Sequence, residues 1–503
     1  MQRKRLSLTC VPFDPLAFER VVADASGCPL SAIDDQVKYI AAYLGSTEIG
    51  ARTLLIETPY FDRHYMEEFS AYYATAFRPP DSHTTRIHVF ACPLSDLDLG
   101  SALIAKIRGS ETMLDAVHRD YRGFIVIRPL ASAPIGRTIL STYTSSPSRV
   151  FATAREHKAH VMGLEFGVHG VPFQQQEVAV GACATTAVWS ALASIARASG
   201  SRGPSPYEVT QAATRHLIND RQIPADGGLE IAQVLEAMRA AGYSPLALKA
   251  SSRTYAQFTL ALKCYLTSGM PVVLFVHDAN GYHAVTVVGY RRSDEQIPAP
   301  DITLETAEGG VRLVSDGMSR VYIHEDRLGP YARMSWQPAG HGGDGPEIAH
   351  LKLGNAAYQY DPKPMAVHAA VVPLYPKLRL SALGLIHIAT EAEIFIRFIV
   401  GPDASHDLRF DLSFELCGDY TKRLLAIGLP DPVPLHDFLT QVPLPRYVGV
   451  IRFFLGRSAL VDVICDTTDI DRSKPRFGNI LAVVPFSADR IVHFRRFATQ
   501  YLQ

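Results

Sequence analysis

The chain has no CxxC pair. Its seven cysteines, Cys10, Cys28, Cys92, Cys183, Cys264, Cys417 and Cys465, are odd in number and widely scattered. Zinc modules and disulfide frameworks need clustered or evenly paired cysteines, so this usage points to a reducing cytoplasm and against a metal site. No metal or other cofactor is expected. Also missing is any uninterrupted apolar run near the roughly 20 residues that span a bilayer. The N-terminal MQRKRLSLTCVPFDP carries Arg3, Lys4 and Arg5, but Pro12 and Pro15 break the apolar stretch that a secretory signal would need. Neither sign of charge is in excess, with 49 Lys and Arg against 50 Asp and Glu. That balance leaves no electrostatic footprint for nucleic acid or an anionic membrane as partner. HExxH and Gly-rich phosphate-loop patterns are absent, which sets aside metal-hydrolase and nucleotide-binding readings. No repeat of 20 to 50 residues and no low-complexity tract is present.

What remains is a composition built for cores, 47% hydrophobic and 20% charged over 503 residues. At about 150 residues per domain, three domains are expected. Residues 1–144 read as a mixed α/β domain: TLLIE at 53–57, RIHVFA at 86–91 and YRGFIVIRPL at 121–130 are strand-like, and 61–77 has helical periodicity. The aromatics of that helix, among them Tyr60, Phe61, His64, Tyr65, Tyr72 and Tyr73, are read as core. The Ser/Thr/Pro-rich and then basic stretch 141–173 reads as a connector, with His157 and His160 on a solvated face.

A central domain over 145–340 is expected to place helices first and antiparallel strands second, an α+β pattern. Its helices are read at 183–199, from the Ser205-Pro206 cap, at 229–241 and at 255–268, the last two stopping at Gly242 and Gly269. One hairpin is predicted across the Asn280-Gly281 turn and a second across Asp316-Gly317. The glycine-rich 340–346 is read as a linker into a strand-rich C-terminal domain, 347–503, whose strands include 394–400, 447–454, 459–465 and 480–485, with a short helix near 436–441.

The chemistry is expected around Cys183. In QQQEVAVGACATTAVWSALASIARAS, the cysteine opens a run of helix formers, and the dipole and free N–H groups of a first helical turn favour an anionic thiolate. A thiol nucleophile also needs a base, and His283, at a strand start in GYHAVTVVGY, is placed to act as one. An acid must orient the imidazolium; Asp326 in VYIHEDRLGP is the first choice and Glu325 the alternative. For the oxyanion, the Cys183 backbone N–H needs a second donor, with Gln176 first and Gln175 second.

These pieces resemble the papain-like cysteine peptidase superfamily, including bacterial peptidases similar to those that cut double-glycine leader peptides. The resemblance rests on Gln175 and Gln176 before GAC with Cys183 opening a helix, on YHAVTVVGY with His283, and on YIHEDRLGP with Asp326. It covers about 200 of the 503 residues. It implies a papain-like fold for the central domain and a peptide or isopeptide hydrolase acting through a Cys183 acyl-enzyme. The substrate would be a peptide or protein, with flanking domains choosing it or a regulatory protein partner controlling access. An acyltransferase or transglutaminase-like enzyme on the same site, and a catalytically inactive binding scaffold, are the alternatives. Two features depart from the family: Glu177 stands six residues before the cysteine, where glutamine is usual, and Ala184 follows it.

Overall fold

The computed structural model describes all residues except 1–5, 108–111, 144–145, 178–182, 216–227, 252–254, 279–280, 306–311, 339–344, 352, 354–363, 431, 442–443, 469–478, 487–489, 495 and 497–503. The architecture is mixed α+β. The N-terminal part is a five-stranded antiparallel sheet in sequence order: Ser7–Pro12, Thr53–Tyr60, Thr84–Phe90, Tyr121–Ile127 and Ile135–Leu140. Two helices lie between its first strands, Pro15–Ser26 capped by Asp14 and Asp35–Leu44 capped by Asp34. Each cap carboxylate accepts backbone N–H groups that the first helical turn would otherwise leave unpaired. The periodic stretch after residue 61 is helical, Arg63–Glu68 widening into a π-turn at Phe69–Tyr73.

The expected connector is instead a hairpin, Arg155–Val161 against Leu164–Gly170. Its inward Ala159, Val161, Phe166 and Val168 join Leu55, Phe90 and Phe124 of the N-terminal sheet in one core. Polar residues dominate the stretch because alternate positions face solvent, which hid the strand period. On a strand, residues three apart point to opposite faces, so His157 and His160 do not share one. His157 is half-buried and His160 exposed.

In the central part, helices Cys183–Ala198, Pro206–Ala213, Ile231–Ala240 and Tyr255–Thr267 precede most of the strands, as the sequence suggests. Six strands then close into a barrel. In order they are Val272–Asp278, Gly281–Arg292, Met318–Glu325, Gly329–Pro338, Pro346–His350 and Met365–Leu374, and the last pairs back to the first. The first predicted hairpin is present, although its Asn280 lies outside the described residues. The second is not: Arg312–Ser315 pairs with Ile302–Glu305 in a separate ribbon, and Met318–Glu325 enters the barrel. Gly317 turns the chain between these two sheets, where a Cβ would lie 2.2 Å from the Pro300 carbonyl oxygen.

The boundary expected at 340–347 also moves. Pro346–His350 pairs with Gly329–Pro338, and Met365–Leu374 completes the barrel and carries Ser244–Lys249 on its outer edge. The glycine-rich segment, read as a linker, therefore joins two paired strands of one barrel. After it comes a four-stranded antiparallel sheet, Leu408–Leu416, Tyr447–Leu455, Ser458–Asp466 and Ile480–Pro485, with helices Cys417–Ile427 and Val433–Gln441. The run IFIRFIV, expected as a strand, ends the helix Ala382–Val400. Burial of Ala389, Ala392 and Ile396 on one side, with Ile394 and Phe398 exposed on the other, shows helical packing overriding the β-propensity of branched and aromatic residues.

One core runs through all three parts, from Phe18 and Tyr39 through Trp189 and Val285 to Leu385 and Phe453. The N-terminal helix Asp35–Leu44 packs on the barrel strand Gly329–Pro338. There Gly329 has φ +151°, and a Cβ would meet the Tyr39 ring at 2.3 Å. Gly329→Ala is therefore expected to destabilise the protein by about 1–3 kcal/mol through overpacking. Urea unfolding checks this, and an unchanged midpoint would contradict the close approach.

Candidate active site

Cys183 is the first residue of the helix Cys183–Ala198 and is partly buried. The helix is held against the barrel by polar as well as apolar contacts. Thr286 Oγ1 donates to the Ala187 carbonyl at 2.8 Å, and Ser190 Oγ donates to the Pro172 carbonyl at 2.6 Å. Trp189 is fully buried, with the His64 ring edge-on at 5.5 Å, and so serves the core.

His283 lies near the start of the strand Gly281–Arg292 and is 6% exposed. Its Nε2 donates to Glu325 Oε1 at 2.5 Å. Asp326 Oδ1 is 3.0 Å from the same nitrogen, within ion-pair distance but without hydrogen-bond geometry. Consecutive strand residues normally face opposite sides; here a bulge between Ile323 and Glu325, just before the chain turns, lets both carboxylates reach one imidazole. The sequence-derived choice between Asp326 and Glu325 thus resolves into a pair in which Glu325 makes the hydrogen bond.

The electrostatics follow from this packing. Burial opposes a charged imidazole, but contacts with Asp326, the Cys183 thiol and Glu325 outweigh it and hold the His283 pKa well above the usual imidazole value. With Nε2 given to the carboxylates, Nδ1 is the ring nitrogen left for sulfur. Burial pushes the Glu325 carboxyl up, yet its bond to His283 and the nearby Arg327 carry it well below the usual range. Burial pushes Asp326 up, and the adjacent Glu325 charge adds to that rise. The neighbouring His324 is a different case. Fully buried, it is pushed down to about 3 and packs edge-on against Phe173 and Tyr331, which leaves it neutral and structural.

The oxyanion side is less simple than the spacing implies. Gln175 does not face the thiol as a donor: its Nε2 donates to Asp34 at 2.7 Å and its Oε1 accepts from Ile135 N at 3.1 Å. Gln176 is half-buried, and residues 178–182, which join it to Cys183, lie outside the described residues. Glu177 accepts from the Tyr73 hydroxyl at 2.5 Å. Gln174 donates to the buried Glu68, whose other oxygen meets Arg128. Sequence reasoning missed these N-terminal partners because they stand 40 to 141 residues away and no local pattern announces a pairing over that distance.

Among the described residues, the donor atoms of His283, Glu325 and Asp326 also lie within 4.8 Å of one another, close enough to hold a cation. A protonated His283 answers the same two carboxylates without one. A cavity of about 780 Å³ lined by Arg292, Asp294, Arg409 and Asp411 belongs elsewhere. Arg292 ends the strand that begins beside His283, roughly 30 Å away at about 3.3 Å per residue.

No protein-family model matches the chain, and no curated protein matches its sequence. No described helix is long and apolar enough to cross a membrane.

Proposed function

We propose that the protein is a papain-like thiol hydrolase that cleaves a peptide or isopeptide bond through a Cys183 acyl-enzyme. The observation that carries this reading is the buried His283 imidazole, 2.5 Å from Glu325 and 3.0 Å from Asp326, whose pKa is raised by these carboxylates and by the Cys183 thiol. In the reaction, the Cys183 sulfur attacks the scissile carbonyl carbon while the thiol proton resides on His283. The imidazolium then protonates the leaving amine, and the thioester forms. Water, deprotonated by the neutral imidazole, attacks the thioester and releases the acid and free thiol. Glu325 keeps the imidazole oriented and stabilises its charge, as the third member of such a constellation does.

One observation favours an inactive binding scaffold instead. Glu177 occupies the position six residues before Cys183 where the family places a glutamine, and its carboxylate has no N–H to offer an oxyanion. A peptide vinyl methyl ester separates the two readings. The hydrolase should form a covalent adduct on Cys183, seen by intact mass and peptide mapping and lost in Cys183→Ala. Failure of any such warhead to modify the folded wild-type protein would support the scaffold. If the acyl group is transferred to an added amine in preference to water, the enzyme is an acyltransferase on the same site.

A further inference from the structure

We infer that the first turn of the helix Asp35–Leu44 is a positioning element that ties together the two walls of the Cys183 site. The inference rests on the thiol-hydrolase reading. The two walls reach the site along separate stretches of chain. One is the segment through Gln175 that leads into Cys183; the other is the turn bearing Glu325 and Asp326. Both are bonded to residues only two positions apart on this N-terminal helix. Asp34 divides its carboxylate: Oδ1 caps the helix by accepting Val37 N at 3.0 Å, and Oδ2 accepts Gln175 Nε2 at 2.7 Å. Gln36, 1% exposed, donates from Nε2 to the Asp326 carbonyl at 2.5 Å.

Each anchor has independent support. Arg128 donates to the Gln175 carbonyl at 3.0 Å, so that residue is gripped at backbone and side chain. On the acid wall, Tyr39 donates to the Pro330 carbonyl at 3.2 Å and lays its ring against Gly329. One rigid helical turn thereby fixes the spacing between Gln175, eight residues before the thiol, and the turn that orients His283. Because a misplacement of about 1 Å can cost about 100-fold in such sites, that spacing matters to the reaction itself. Asp34 and Gln36 touch no reacting atom; they act through Gln175 and Asp326.

The test uses the full chain and two variants chosen to keep the helix. Asp34→Ser retains a capping oxygen and loses the reach to Gln175; Gln36→Met keeps length and helix propensity and loses the donor. The readout is the pH profile of Cys183 alkylation by iodoacetamide, with far-UV circular dichroism and the thermal midpoint as controls. Expected for a folded variant is a roughly tenfold or larger loss of labelling at pH 6 with the rate at pH 8.5 little changed, since a displaced His283 no longer supports the thiolate. A low-pH rate equal to wild type in both folded variants overturns the positioning role and leaves the hydrolase reading intact. Absence of a low-pH rate in the wild type itself overturns the hydrolase reading and this inference with it. Loss of fold in both variants would make the contacts purely structural and would also overturn the inference.

Discussion

Between pH 8 and pH 6, the thiol-hydrolase proposal requires Cys183 to react with iodoacetamide at rates that differ only a few-fold. A free thiol of pKa about 8.5 slows by roughly 75-fold over the same interval, because its thiolate fraction falls almost tenfold per pH unit. The shape of the profile is the informative quantity, not the absolute rate. Lowering a thiol pKa raises the thiolate fraction but weakens the thiolate as a nucleophile, with a Brønsted slope of about 0.4–0.5, so the two effects partly cancel in speed. They do not cancel in slope. Cys92 provides an internal reference, since burial and Asp120 push its thiol upward and its labelling should fall steeply with acidity. In His283→Ala, Cys183 should acquire the same steep fall. Peptide mass spectrometry of both proteins across the pH series measures all of this, and a wild-type Cys183 profile as steep as that of Cys92 would sink the thiol-hydrolase proposal.

Much of the site could be read in the sequence because its signals are local. A cysteine before a run of alanine and leucine, and a histidine opening an alternating apolar run, each report their own element, and the structure places both on those elements. The acid was harder, since Glu325 and Asp326 are adjacent and only the bulge at the end of their strand decides how each is aimed. What stayed hidden depends on pairing over distance. Nothing about Gln36 as a residue suggests a bond to a carbonyl 290 residues later. The misreadings have the same origin. A glycine-rich segment looks alike between domains and between two paired strands, and which it is depends on whether Pro346–His350 finds Gly329–Pro338. Likewise IFIRFIV has strand composition, and only the apolar surface available to one side of the helix Ala382–Val400 settles its conformation.

Of the two carboxylates, Glu325 should matter more. Glu325→Gln removes the direct partner of a buried imidazolium, and breaking such a pair typically costs about 3–5 kcal/mol because the remaining charge is left uncompensated. Asp326→Asn changes a group whose charged form burial already disfavours, so about 1 kcal/mol is expected. The pH dependence gives this ordering a sign. His283 is raised from the ordinary imidazole value of 6.5, so its contribution to stability is complete below that pH and is lost as pH rises through the higher folded value. Glu325 is lowered from 4.5, so its contribution is complete above that pH and is lost as pH falls through the lower folded value. Asp326, raised from 3.8, weakens the fold as pH climbs through its own folded value. The His283–Glu325 pair therefore contributes fully between pH 4.5 and 6.5, and the penalty of Glu325→Gln should be greatest there and shrink as His283 loses its proton. Removing the Glu325 charge also relieves the repulsion on Asp326, which can then ionise more readily and take over part of the pairing. The double variant should consequently lose more than the two single losses added together, a coupling that urea unfolding at pH 6 would resolve. Additive losses would mean that Asp326 does not take over the pairing, and a larger effect at Asp326 than at Glu325 would mean that Asp326 is the orienting acid.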